Sequence, residues 1–554
     1  MSSNLPGPAD GSQPEVEYLG DQPAPKPRRS RRTGLIAAAA AGLVVVAGAG
    51  AFAVVQFMSA GPAPATAVPS DAVVYVSLDL DPSGGQKVAA LETLRKFPAL
   101  KDKLGLNGTD DLRKWLYDGL TADNPCPDLD FGKDIDPWLG NKIAMAARPA
   151  DSGSGGPVMF FSVQVKDEQA AKDDIAKIAE CGGSGSDTPG TAFTGDYMVV
   201  AETQKIADGI VADAEKGSLA DDDGFHKWID EAGGDGIVEA YVSADAPKEF
   251  SEELGLSEGS FAGLGSDSFT STSASPAVYR PGSASAPSPT PEVLDAFKDF
   301  QGAAMVVRFS DGALEMELAA GGLPSEVKTG GDSGIEDLPS TTAMALGFGV
   351  PDDAVQHLID SMTKSSGMSQ DEVDAMMAQA EQETGLNLPE DLQTLLGSGL
   401  SVAVDSSMDF DAVMNGSSPD GSALPVGVRI VGDPDEITPV VDKVQSALGP
   451  MAGELVVEKG DGVVALGLDQ DYVAKLAQNG SLGDQDRFKA ALKDVGNPAG
   501  GLYVDFDAGD WLTKLAESDS DPAVKENVAP LDSLGVTGWV EGDVVHGSAR
   551  LTTD

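Results

Sequence analysis

The pentapeptide Gly217-Ser218-Leu219-Ala220-Asp221 recurs as Gly480-Ser481-Leu482-Gly483-Asp484, and Phe225 and Phe488 follow the two copies at the same spacing. Other segment pairs match in the same order along the chain. Val68-Pro69-Ser70 and Leu338-Pro339-Ser340, for example, each precede an apolar run and then a helix-like run. Length differences between the matches fall in loop-like sequence. Such self-similarity indicates an internal repeat.

Strand-like and amphipathic helix-like segments alternate within each copy. The sequence therefore predicts an α+β fold, with two tandem copies of one α+β module at 68–320 and 338–553 and a linker at 321–337. The first copy contains an insertion rich in Ser, Pro and Gly at about 251–290, for which the sequence predicts a mobile loop. Apolar runs such as Val158-Met159-Phe160-Phe161 are typical of core strands rather than of a lipid groove.

One uncharged apolar stretch, Leu35 to Met58, precedes both copies. It is long enough to cross a bilayer as a helix, so we expect a transmembrane helix at 34–58 and contact with the lipid bilayer through 35–58. The tail 1–33 is Pro-rich and basic, and we expect it to be disordered. Five bases stand just before the stretch: Lys26, Arg28, Arg29, Arg31 and Arg32.

This asymmetry of charge predicts a single-pass plasma-membrane protein with a cytoplasmic N-terminus, a linker at 59–67 and an extracellular C-terminal part. A competing interpretation is twin-arginine export. Ser30-Arg31-Arg32 resembles that signal, and the small residues after Met58 could form a cleavage site. The apolar stretch exceeds the usual length of a signal peptide, which favours an uncleaved anchor.

The chain has 554 residues and a net charge of −52. This acidic balance excludes nucleic acid as a partner, since nucleic-acid binding needs basic surface to displace counterions. The only cysteines are Cys126 and Cys181. Both lie on the predicted outer side, where one disulfide between them is the simplest expectation, and two separate buried thiols are the alternative.

Motifs for catalysis are weak in this sequence. Its three histidines do not recur between the copies, and no nucleotide-binding, H-E-x-x-H or C-x-x-C pattern is present. Gly255-Leu256-Ser257-Glu258-Gly259 fits a nucleophile elbow, but it lacks the preceding buried strand. Gly331-Asp332-Ser333-Gly334 resembles the serine tetrad of trypsin-like proteases without the rest of that pattern. We therefore predict no catalytic residue and no cofactor.

Paired aspartates are the best candidates for a metal site, because hard cations prefer clustered carboxylates. Asp79 and Asp81 would share one face of a strand and could both contact one ion. The pairs Asp128/Asp130 and Asp134/Asp136 have the same spacing. In a chain with 89 acidic residues such pairs arise by chance, so a solvated acidic surface is the simpler interpretation.

The opening of the first copy resembles an actinobacterial family known only as a domain of unknown function, DUF3352. The resemblance rests on Val68-Pro69-Ser70-Asp71-Ala72-Val73-Val74-Tyr75-Val76, followed by Asp79-Leu80-Asp81-Pro82-Ser83. It implies the same layout of basic tail, membrane helix and acidic ectodomain, and no catalytic residue. The expected function is non-catalytic binding or scaffolding in the cell envelope, with a lipid, glycan or protein ligand. The alternative is a metal-dependent envelope hydrolase that uses the clustered aspartates.

Overall fold

Within the part of the chain that this computed structural model describes, sixteen strands form one antiparallel sheet. The structure describes residues 63–80, 84–97, 113–114, 130–150, 157–181, 189–249, 298–310, 312–322, 330–366, 369–409, 412, 425–449, 455–493, 499–517 and 522–554. Ser59–Asp554 make up one compact unit. The predicted tail, membrane segment and Ser/Pro-rich insertion lie outside the described residues.

The strands are β1 Val74–Asp79, β2 Leu139–Arg148, β3 Val158–Val165, β4 Gly190–Thr194, β5 Tyr197–Ala201, β6 Val238–Ser243, β7 Gly302–Ser310, β8 Ala313–Gly321, β9 Thr342–Gly349, β10 Gly399–Asp405, β11 Val426–Val431, β12 Val456–Lys459, β13 Val463–Gly467, β14 Gly500–Asp505, β15 Leu531–Glu541 and β16 Val544–Thr553.

The helices are α1 Gly84–Arg95, α2 Glu168–Cys181, α3 Gln204–Ala214, α4 Asp223–Glu231, α5 Ala246–Glu249, α6 Ala354–Ser366, α7 Gln370–Thr384, α8 Glu390–Leu396, α9 Pro434–Leu448, α10 Gln470–Leu476, α11 Asp486–Ala491, α12 Trp511–Glu517 and α13 Pro522–Val528. The predicted mixture of helices and strands is confirmed.

Local sequence sets where these elements begin and end. Asp222 caps α4 by accepting a hydrogen bond from the Phe225 N–H at 2.8 Å, and Asp469 caps α10 through the Tyr472 N–H at 2.7 Å. Such side chains satisfy N–H groups that have no partner inside the helix. The hairpins β7–β8 and β15–β16 turn at Gly312 and Gly542, which have positive φ angles of 79° and 62°. Glycine adopts this conformation without a steric penalty.

The strand order is the same in the two halves of the chain. It runs β4-β5-β3-β2-β1-β6-β7-β8 in the first half and β12-β13-β11-β10-β9-β14-β15-β16 in the second. The halves join where β8 pairs with β16, so that one sheet continues through both. We call this junction the seam.

The repeated pentapeptide contacts the repeated opening segment in each half. The Leu219 N–H donates to the Val68 carbonyl at 2.7 Å, and the Leu482 N–H donates to the Leu338 carbonyl at 2.9 Å. All four side chains are almost completely buried. The matching segments of the sequence therefore pack on one another, which explains why they share the same small and apolar residues.

Two larger hydrophobic cores lie on one side of the sheet, which we call the helix face. α3 and α4 cover the first core, and α10 and α11 cover the second. Phe225 on α4 packs edge-on against Tyr241 at 5.3 Å between ring centroids, and Phe488 on α11 packs against Tyr503 at 5.1 Å. The opposite side of the sheet is called the open face below.

Charged side chains are buried at the seam on the helix face. Glu315 and Glu317 of β8 are almost completely buried. Arg308 contacts both carboxylates, at 2.5 Å to Glu315, while Arg550 contacts Glu315 and Lys493 contacts Glu317. Burial alone would raise the pKa of Glu317, but hydrogen bonds from Lys493 and Arg308 outweigh it and the pKa lies below its usual value.

None of the helices in the described ranges is both long and apolar enough to cross a membrane. The predicted transmembrane segment is not among those ranges. Cys181 is the last residue of α2, and Cys126 lies outside the described residues. The disulfide therefore stays a prediction.

Replacing Glu315 by alanine should destabilise the protein strongly, because Arg308 and Arg550 would each lose a carboxylate partner in a buried position. Removing one member of a buried ion cluster typically costs about 3–5 kcal/mol. Chemical denaturation of Glu315→Ala measures this loss, with Glu541→Ala in the exposed β15–β16 turn as the control. A loss as small as that of the control would contradict a stabilising role for the cluster.

Candidate binding surface on the open face

The open face of twelve strands is almost entirely apolar. Directly paired residues lie on the same face of an antiparallel sheet, and alternate residues share a face, so the pairings assign each side chain. Apart from Thr553 at the end of β16, every paired open-face position in β1–β3, β6–β11 and β14–β16 is Val, Leu, Ile, Met, Phe, Ala or Gly. The apolar positions are every second residue of 74–78 in β1, 143–147 in β2, 159–163 in β3, 238–242 in β6, 303–309 in β7, 314–320 in β8, 344–348 in β9, 400–404 in β10, 426–430 in β11, 500–504 in β14, 534–540 in β15 and 545–551 in β16.

Several of these side chains are substantially exposed. The exposed fraction is 49% for Phe161, 46% for Met159 and 46% for Phe348, and Leu318, Leu346 and Val402 are also exposed. Phe160, on the helix face of the same strand as Phe161, is only 1% exposed. The predicted core strand at 158–161 is thus buried on one face, while its other face is open.

Helices cover the open face near its two ends. α2 packs over β3 and β5 through a cluster that includes Ala171, Met198 and Val163. α9 packs over β11 and β13 through Ile437, Val441 and Ile430, with Leu395 of α8 beside them. The exposed residues Leu318 and Leu346 lie on β8 and β9, between these two covers. An apolar surface is therefore exposed along the middle of the sheet.

Among the paired positions of this surface only Thr553, at the end of β16, has a polar side chain, and its hydroxyl accepts a hydrogen bond from Lys96 Nζ at 2.8 Å. The strand ladders use the backbone N–H and C=O groups, and Gln86 of α1 pairs with the Phe309 N–H and C=O at 2.7 and 2.6 Å, where β6 has ended. Contiguous exposed apolar area is uncommon on soluble proteins and marks an interaction or ligand surface. Chemically, it can bind hydrocarbon and little else.

The predicted pairs Asp79/Asp81 and Asp128/Asp130 stay predictions, because one member of each lies outside the described residues. Asp79 ends β1 opposite Lys142 of β2, and Asp81 and Asp128 lie outside the described ranges. Asp136 pairs with Arg113 at 2.5 Å. Hydrogen bonds from the Asp130 N–H and from Lys177 hold the pKa of Asp134 below its usual value.

Sequence reasoning did not find the one carboxylate triad present in the described part of the chain. Asp507, Asp532 and Asp554 could each offer a ligand atom within 4.8 Å of the others. Arg487 already contacts Asp507 at 2.6 Å and Asp532 at 2.6 Å, so a base neutralises part of the cluster. Burial raises the pKa of Asp507 even beside this arginine.

The histidines and the serine of the tetrad do not form a nucleophilic site. His226 Nε2 lies 2.8 Å from the Ala220 carbonyl, and His357 Nε2 lies 3.0 Å from Asp353. His546 stacks on Trp539. Ser333 is buried, and its hydroxyl accepts from the Ile335 N–H. Ser257 lies outside the described residues.

Two shallow clefts on the described part of the protein differ from the open face in their linings. One, of about 430 Å³, lies between α8 and α9 and is lined by Asp352, Glu390, Asp433 and Glu436 among others. The second, of about 370 Å³, lies beside α2 and α3 and contains Glu168, Lys172 and Phe193. Their linings are mixed and polar, in contrast to the open face.

A family model described as "Protein of unknown function (DUF3352)" matches residues 36–422. The chain belongs to the DUF3352 family. The match starts inside the predicted membrane segment, covers the first half of the sheet and ends in the second half, after β10. No curated protein and no solved structure matches the chain significantly. The resemblance expected from the sequence is thus confirmed.

The two neighbouring phenylalanines of β3 test the assignment of the faces. Phe160→Ala should cost about 3–5 kcal/mol of unfolding free energy, because it leaves a cavity in the core. Phe161→Ala should cost about 1 kcal/mol or less, since half of that side chain already contacts solvent. Urea denaturation of the two variants makes the comparison, and equal losses would show that Phe161 is packed as tightly as Phe160.

Proposed function

We propose that this protein is a membrane-anchored, extracytoplasmic binding protein of the cell envelope that holds hydrocarbon chains on the open face of its sheet. The observation that carries the proposal is the apolar character of the open face across twelve strands, with Phe161, Phe348 and Leu318 exposed. The proposed activity is non-catalytic, since binding needs only this surface.

An acyl chain fits the open face better than a protein partner does. Protein interfaces usually carry about one hydrogen bond per 100–200 Å². Apart from Thr553 at the end of β16, the paired positions of the open face have no polar side chain with which to make such bonds, and the sheet uses its own backbone groups. An acyl chain requires no polar contact, and its burial contributes roughly 0.8 kcal/mol per methylene group.

The proposed anchor supports this ligand class. The apolar stretch 35–58 ends only a few residues before Ala63, the first described residue of the folded unit. A tether of that length allows the sheet to work close to a bilayer, where acyl chains are concentrated. The orientation with the N-terminus in the cytoplasm follows from the bases before the stretch.

We further propose that the sheet arose from two copies of one α+β module, at 68–320 and 338–553. The shared strand order and the equivalent contacts of Leu219 and Leu482 support this duplication. The open face then combines the apolar faces of both copies in one surface, which neither copy would provide alone.

Full-length protein purified in a mild detergent should carry an amphiphile that mass spectrometry of an organic extract detects. The double variant Phe161→Asp with Phe348→Asp should lose most of it, because two charges would enter the apolar surface. Leu448→Asp, at an exposed leucine on α9 away from the central strands, is the matched control and should retain the ligand.

Circular dichroism of the three proteins checks that each is folded. If wild-type protein carries no amphiphile, or if the double variant retains as much as Leu448→Asp does, the open face is not the binding site and the proposal is wrong.

N-terminal sequencing of the native protein separates the anchor from the export alternative. We expect the sequence to begin in the tail before Leu35, with the protein in the membrane fraction after carbonate extraction. A chain that begins near Gly61 in the soluble fraction would instead show cleavage after the apolar stretch.

A further inference from the structure

We propose that the open face takes amphiphiles with an anionic head group, and that Lys96 binds this head group at the border of the face while the hydrocarbon chain lies along β16. This inference rests on the proposed function and specifies its ligand class. Hydrocarbon packing has no directional contacts that could distinguish one head group from another. The head group must therefore be recognised where a charged side chain borders the apolar surface.

α1 brings Lys96 to the strand ends in the middle of the sheet. Near the start of this helix, Gln86 pairs with the backbone of Phe309 in the last turn of β7 before its end. Directly after the helix, Lys96 Nζ donates to the Thr553 carbonyl at 3.0 Å and to the Thr553 hydroxyl at 2.8 Å. α1 therefore extends from β7 to β16, across the strand ends beside the seam.

The ammonium group of Lys96 lies at the border of the open face. Thr552 of β16 pairs with Ala313 of β8, and its side chain is buried on the helix face, where it bonds to Ser533. Alternate residues of a strand point to opposite faces, so the Thr553 hydroxyl points to the open face. Lys96, which donates to that hydroxyl, is placed where a ligand on the open face would end.

The positive charge of Lys96 is not neutralised in the part of the chain that the structure describes. Both oxygen atoms that it contacts belong to Thr553 and are uncharged. Among the described residues, neither Lys96 nor the exposed Arg95 before it contacts a carboxylate. A lysine ammonium has three N–H donors, and two are used here. One donor and the whole charge are left for an anionic oxygen.

An acyl chain whose head group lies at Lys96 would reach the exposed middle of the sheet. From Thr553, β16 runs to Gly547, which lies opposite Leu318 of β8, and Leu318 is 39% exposed. These six residues extend about 20 Å, at roughly 3.3 Å per residue. An acyl chain spans roughly 15 Å, half of the hydrocarbon core of a bilayer. A chain that starts at Lys96 therefore lies over Ala549 and extends toward Leu318.

The net charge of −52 does not prevent anion binding at this position. Salt screens charges over about 8 Å at physiological ionic strength, so distant carboxylates contribute little. The acids at the neighbouring strand ends, Asp505, Asp507 and Asp532, surround Arg487 on the helix face, on the other side of the sheet. A contact between an ammonium group and a phosphate forms at about 2.8 Å and is roughly twice as strong as a neutral hydrogen bond.

The test compares two lipids that differ only in the head group. Dioleoylphosphatidylglycerol carries one negative charge, and dioleoylglycerol has the same chains and no charge. Native mass spectrometry measures the binding of each to delipidated full-length protein in dodecyl maltoside, at about 0.15 M ammonium acetate. We expect the anionic lipid to bind about tenfold more tightly, which is the effect of one charge-assisted hydrogen bond.

Substitutions of Lys96 show whether this residue is responsible. Lys96→Met removes the charge and keeps the length of the side chain, so it should lower the affinity for dioleoylphosphatidylglycerol about tenfold and leave that for dioleoylglycerol unchanged. Lys96→Arg keeps the charge and should keep the preference. The matched control is Lys205→Met, which removes an exposed lysine of α3 on the helix face and should change neither affinity. Circular dichroism checks that each variant is folded.

Three results would overturn the head-group inference and leave the proposed function intact. The first is that the wild-type protein binds the two lipids equally or prefers the uncharged one. The second is that Lys96→Met keeps the preference for the anionic lipid, as Lys205→Met should. The third is that Lys96→Met lowers both affinities alike, because Lys96 would then serve only to attach α1 to β16.

Failure of both lipids to bind to the wild-type protein would instead overturn the proposed function together with this inference. The same holds if the delipidated protein proves to be a dimer that Phe161→Asp converts to a monomer, since a second copy would then be the occupant of the open face. The head-group inference and the underlying function therefore fail in distinguishable ways.

Discussion

The pairing of β8 with β16 is the interaction on which the continuous sheet depends, because it alone joins the two eight-stranded halves in the strand order. In the first half, Tyr241 of β6 lies opposite Ala304 of β7, which lies opposite Ala319 of β8. In the second half, Tyr503 of β14 lies opposite Gly535 of β15, which lies opposite Arg550 of β16. Ala319 and Arg550 therefore occupy corresponding places, as do Glu317 and Ser548. In the seam Glu317 lies opposite Ser548, Glu315 opposite Arg550 and Ala319 opposite His546.

The charges at the seam favour pairing of β8 with β16 over pairing of β8 with a second copy of itself. If β8 paired with another β8 in the same register, Glu317 would face Glu317. Like charges directly opposite one another destabilise a pair of strands. The observed pairing puts Glu315 beside Arg550 and supplies Arg308 and Lys493 to the two buried carboxylates. A buried ion cluster contributes modest net stability, but it strongly penalises partners that leave its charges unpaired.

The two faces of the sheet have different roles because only one is closed by packing. On the helix face, Phe225 and Phe488 fill the space beneath α4 and α11, and buried polar groups occur with partners supplied by loops and helices, such as Asp405 with Thr341 at 2.5 Å. On the open face, the paired positions are apolar except for Thr553 at the end of β16, so side-chain packing there comes almost entirely from hydrocarbon contacts. The exposed phenylalanines there leave apolar area in contact with water, which is unfavourable.

The amino-acid sequence by itself determined the mixture of helices and strands, the family, the contact segments at Gly217 and Gly480, and the apolar stretch at 35–58, because each leaves a local pattern in composition or spacing. It could not reveal the seam, since strand order depends on which edges meet after folding. It predicted a buried strand at 158–161 and could not separate Phe160 from Phe161, because both are equally apolar. Only the tertiary structure decided that Phe160 lies under helices and Phe161 in the open: side chains alternate across a strand, and whether a face is covered depends on elements far away in the sequence.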